Sequence, residues 1–105
     1  MVTSVAMARD FEDTVTKVAD RIARGHVLLS ERVRAGKRRS ISVGPHRTAT
    51  AGKRQYGMIV MPAPTGEPDL RPYDGPNRAA REFVRLVGVD EARNALVREA
   101  RKRLG

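Results

Sequence analysis

Residues 55–61 read Gln-Tyr-Gly-Met-Ile-Val-Met, and this short run constrains the fold more than any other. Large and β-branched apolar residues favour an extended chain, in which successive side chains alternate between faces. In that geometry Tyr56, Met58 and Val60 share one face, and Ile59 and Met61 the other. A strand apolar on both faces needs cover on both. Helices of the same chain, or a neighbouring chain, must supply it.

A partner strand lies upstream. Residues 40–43 alternate, with Ile41 and Val43 on one side and Ser40 and Ser42 on the other, and Gly44-Pro45 stops the run. Residues 46–54 read as a long hairpin tip. Helical cover is expected from residues 10–35, where Phe11, Val15, Val18, Ile22, Leu29 and Val33 recur at helical spacing with one turn missing at Gly25-His26. Asp10 reads as the N-cap and Gly36 as the residue that stops the helix. Residues 1–9 read as a flexible extension.

Residues 62–76 hold five of the six prolines and read as an extended connector. Asp74 or Asn77 then caps a helix carrying Ala80, Phe83, Val84 and Val87. Gly88-Val89 breaks it, and Asp90 caps a last helix with Ala92, Leu96, Ala100 and Leu104 on one stripe. The expected fold is α+β in one domain, residues 1–105. It has a long N-terminal helix, a β-hairpin or small antiparallel sheet, a proline-rich connector and two C-terminal helices.

Composition limits the core. Only Phe11, Tyr56, Tyr73 and Phe83 are aromatic, so the interior is built from aliphatic residues. A chain of 105 residues hides about two-thirds of its unfolded surface. A second copy or a partner adds burial that such a core lacks. With no cysteine, disulfides and zinc–thiolate sites are excluded. No apolar run approaches the ~20 residues that span a bilayer, and no signal peptide is read at the start. The expected location is a virion or the cytoplasm, with no membrane partner.

The net charge of +9 is unevenly spread. Residues 37–54 hold six basic and no acidic side chains: Lys37, Arg38, Arg39, Arg47, Lys53 and Arg54. These are the candidate polyanion contacts, for DNA or RNA, whose binding would be strongly salt-dependent. The same pattern also arises where basic residues keep a hairpin soluble and protect it from edge pairing, or where composition is simply Arg-rich. The C-terminal helix is a second basic element.

Catalytic signals are poor. His26 falls within the expected helix, and His46 in a basic loop with no acid nearby in sequence. Gly52-Lys53 lacks the upstream glycine spacing and the Ser/Thr of a phosphate-binding loop, Arg54 standing in that place. Residues 78–97 pattern like a helix–turn–helix, but polar Asn94 stands where the two helices would pack. No enzyme activity, cofactor or metal is expected.

The string Gly36-Lys-Arg-Arg-Ser-Ile-Ser-Val-Gly-Pro45, followed by Tyr56 and Ile59-Val60, resembles the turn and strands of the phage neck family, the head–tail joining or tail-completion proteins. The order of elements is similar as well. The family's Pro-x-x-Thr-Gly ahead of the strand is not present, and Met61-Pro62 stands where it carries an acidic-Gly pair. The resemblance implies a non-enzymatic, ring-forming virion component. The leading expectation is thus a structural assembly protein, a homo-oligomer or a partner of other virion proteins, docking through Tyr56, Met58, Ile59, Val60 and Met61. The alternative is a basic nucleic-acid-binding protein using residues 37–54 and the C-terminal helix.

Overall fold

The computed structural model describes residues 3–34, 36–47, 54–61 and 69–104. Helix α1 (Thr3–Ala23) leads into strands β1 (Leu28–Arg34), β2 (Lys37–Arg47), β3 (Arg54–Met61) and β4 (Asp69–Tyr73). Helices α2 (Pro76–Val87) and α3 (Val89–Leu104) follow. The strands form an antiparallel meander in the order β1-β2-β3-β4. The α+β class, the N-terminal helix and the two C-terminal helices stand as the sequence predicts.

The helix expected over residues 10–35 is two elements. Helix α1 begins at Thr3, so residues 3–9 are helical rather than an extension, and Asp10 lies inside the helix instead of capping it. The Asp10 carbonyl accepts a 2.7 Å hydrogen bond from the buried Thr14 hydroxyl. The helix stops where the apolar stripe skips a turn. Gly25 adopts φ +98°, its N–H reaches the Ile22 carbonyl, and the His26 N–H reaches the Arg21 carbonyl. These two bonds satisfy the last carbonyls in a Schellman arrangement that needs a left-handed residue, here glycine.

The chain then turns back as β1, a strand that the sequence pattern does not reveal. Leu28 and Ser30 are buried against the helices while Leu29 and Glu31 are exposed, the alternation of a half-covered strand. Gly36 stops no helix. It sits at φ +75° in a two-residue turn between the paired residues Arg34 and Lys37.

Strand β2 is longer than residues 40–43, running through Gly44-Pro45 to Arg47 opposite Arg54. Gly44 serves close packing: a Cβ there would lie 2.7 Å from Val27 Cγ2 and 3.2 Å from the His26 carbonyl oxygen. The expected connector over 62–76 is partly regular, since 69–73 form β4 and Pro76 opens α2; residues 62–68 lie outside the described residues. Pro72 is tolerated because β4 is an edge strand, where a missing N–H breaks no ladder.

Helix α2 is capped by neither Asp74 nor Asn77. Extended Gly75 is its N-cap, and Pro76 supplies the preset first turn. Gly88, at φ +89°, separates α2 from α3. Helix α3 starts at Val89, so Asp90 is not its cap but lies with Glu91 in its first turn.

The core lies between the three helices and one sheet face. Val15, Val18 and Ile22 of α1 meet Ala80, Phe83 and Val84 of α2, Ala92 and Leu96 of α3, and Leu28, Val43 and Tyr56 of the sheet. Full burial of Phe83 contributes roughly 1.5–3 kcal/mol. Leu104, expected on the α3 stripe, is instead exposed.

Candidate functional site

The buried side chains of the sheet, Leu28, Ser30, Val43 and Tyr56, alternate with exposed or half-exposed Leu29, Ser40 and Ser42, while Gly44 of the second set is buried beneath Val27. Antiparallel register extends this alternation across the sheet. The central row of the face away from the core runs Leu29, Ser42, Ile59, Leu70. On one side of it runs Glu31, Ser40, Met61. On the other runs Gly44, Gly57, Pro72. Val27, just before β1, lies over Gly44 and is 56% exposed, and Leu29 is 39% exposed. Glu31 is the one charged residue in these three rows, and none is Lys or Arg.

This arrangement divides the candidate assembly residues. Tyr56 is buried in the chain's own core, so it is not free to meet a neighbour. Met58 and Val60 are in register with Val43 and Ile41, which belong to the helix-covered side. Ile59 and Met61 fall in the rows of the opposite face.

The candidate polyanion residues also divide. Lys37, Arg38 and Arg39 open β2, whereas Arg47 and Arg54 pair at its other end, ten residues away or ~33 Å at the usual strand rise. Lys53 lies outside the described residues. The first group gains neighbours that the sequence pattern assigns to a helix: Arg32 stands opposite Arg39, and Arg34 opposite Lys37. The hairpin pairing therefore gathers five basic residues at one end of the sheet, and the exposed Arg39 is one of them.

The β1 edge is held by α3. Arg98 Nη2 donates 2.8 Å hydrogen bonds to the Leu29 carbonyl and to Glu91 Oε1, and buried Ser30 donates to the same carboxylate oxygen at 3.2 Å. Partial burial pushes the Glu91 carboxyl up. The hydrogen bonds from Arg98 and Ser30, the Arg98 charge and a bond from Asn94 outweigh it and hold the group below its ordinary range. Beside this edge is a groove of about 390 Å³, with Val27, Leu29 and Glu31 on the strand side and Arg98, Glu99 and Lys102 on the helix side.

His26 lies in the turn after α1, not on a helix. Its Nδ1 is 3.0 Å from Oε1 of the buried Glu99, and its Nε2 is 3.3 Å from Arg103 Nη1. A guanidinium only donates, so Nε2 accepts and Nδ1 carries the proton given to Glu99. Arg21 at 3.5 Å and Arg103 at 3.2 Å complete the shell around that carboxylate. Both ring nitrogens are engaged, and the cluster joins α1, the turn and α3. His46 is placed by register opposite Gln55.

Among the described residues no three His, Cys, Asp or Glu side chains gather where a metal ion would be held, and no helix is long and apolar enough to cross a membrane. Comparison with protein-family models, with curated proteins and with solved structures finds no match.

Proposed function

We propose that this chain is a non-enzymatic structural assembly protein acting through subunit contacts, and that a phage head–tail connector is the kind of assembly it serves. One observation carries the reading. The helices cover a single face of the sheet, and the other face presents exposed Val27 and Leu29 beside rows without a basic residue. A solvated antiparallel face ordinarily carries polar and charged residues. The engaged ring nitrogens of His26 support the absence of catalysis, because a general base needs a free lone pair at the substrate. The test is the mass in solution with and without DNA. Assembly requires a mass above one chain in the absence of nucleic acid.

A second reading, nucleic-acid binding, is favoured by the convergence of Arg32 and Arg34 on Lys37, Arg38 and Arg39. Under it the chain gains mass only when DNA or RNA is added.

A further inference from the structure

We infer that the open face of the sheet is the contact between two copies of this chain, packed face to face. This rests on the assembly reading and names its partner and its surface.

One residue in five is Lys or Arg, and the chain carries +9. Two such chains repel, so a self-contact needs a surface from which that charge has been removed. The three open-face rows are such a surface, with Glu31 their single charge. A polyanion, or an acidic protein, would select the opposite: a face rich in Arg, like the β1–β2 hairpin end.

A face free of like charge can meet its own copy turned over, as an isologous contact requires. The rim carries both signs, with Arg38 one row beyond Glu31.

Area sets the strength. Four strands ~4.8 Å apart and about eight residues long give a platform of roughly 500 Å². Two copies then bury about 1,000 Å², the low end for a specific interface. The association is therefore weak and concentration-dependent.

Sedimentation velocity across a hundredfold concentration range tests this, with circular dichroism to check folding. The wild-type mass rises from one chain toward two. Ser42→Arg, in the central row, stays at one chain with an unchanged spectrum. Leu29→Lys, in the same row, shifts the midpoint at least tenfold higher in concentration. If the wild type associates and Ser42→Arg does so equally, the face is wrong while the assembly reading stands. If the wild type remains a single chain throughout, both fall.

Discussion

The Glu99 carboxylate lies 3.0 Å from His26 Nδ1, and this contact fastens the turn that ends α1 to the last helix of the fold. Arg21 and Arg103 close on the same group. Replacing Glu99 with Ala leaves three donors facing a hole. Arg21 and Arg103 can partly turn to water, which limits the loss to about 1–3 kcal/mol. Urea unfolding would read it as a lower midpoint at constant slope. Glu99→Gln, which keeps shape and an acceptor, should lose less.

Gly44→Ala would drive a methyl group against Val27 Cγ2 and the His26 carbonyl. We expect a destabilisation of about 1–3 kcal/mol. Val27→Ala in the same chain removes the nearest atom but not the backbone contacts, so thermal unfolding should show partial recovery. Full tolerance of Gly44→Ala would mean that Val27 does not lie over this strand.

Acid should loosen the join between β1 and α3. Glu91 is held below its ordinary range in the fold, so its contribution is present above the unfolded carboxylate value of about 4.3 and is lost as pH falls through the lower folded value. Glu12 has the same sign, its carboxylate taking a bidentate 2.8 Å pair from Arg81. Stability measured from pH 6 down to pH 2 should drop below about pH 4.5. Glu91→Gln should flatten that drop. A pH dependence unchanged by this substitution would remove Glu91 from the account.

Much of the fold is legible in the sequence, and the rest is hidden for identifiable reasons. The stripe Val15, Val18, Ile22 and the pairing of residues 40–43 with 55–61 can be read, because each has an uninterrupted period. Strand β1 cannot. Leu29 and Val33 continue the helical phase of α1 by coincidence, and the inward Ser30 breaks the apolar alternation of the strand. Only the fold reveals Glu91 waiting for that hydroxyl. Gly36 signals a left-handed backbone, which is right, but the same φ closes a hairpin as readily as it ends a helix. Pro72 conceals β4. The basic cluster is half visible, since Arg32 and Arg34 fall within what reads as a helix. Tyr56 reads as available to a neighbour because a single strand does not show which face its own helices will take.

If the hairpin end binds polyanions, Arg38→Glu with Arg39→Glu should elute from heparin at lower salt and with a shallower salt dependence. Arg47→Glu with Arg54→Glu, the same change in net charge ~30 Å away along β2, should have a smaller effect. Equal effects at the two ends would show that net charge, not the cluster, governs retention.

The assembly reading holds that the sheet face away from the helices is covered by another subunit. Ile59→Asp places a charge in its central row. Sedimentation equilibrium of the wild type and this variant, free of nucleic acid, tests the claim most directly. The wild-type mass should climb above one chain with concentration, and the folded variant should stay at one chain. A wild type that remains a compact single chain at the highest attainable concentration, gaining mass only with DNA, would contradict it.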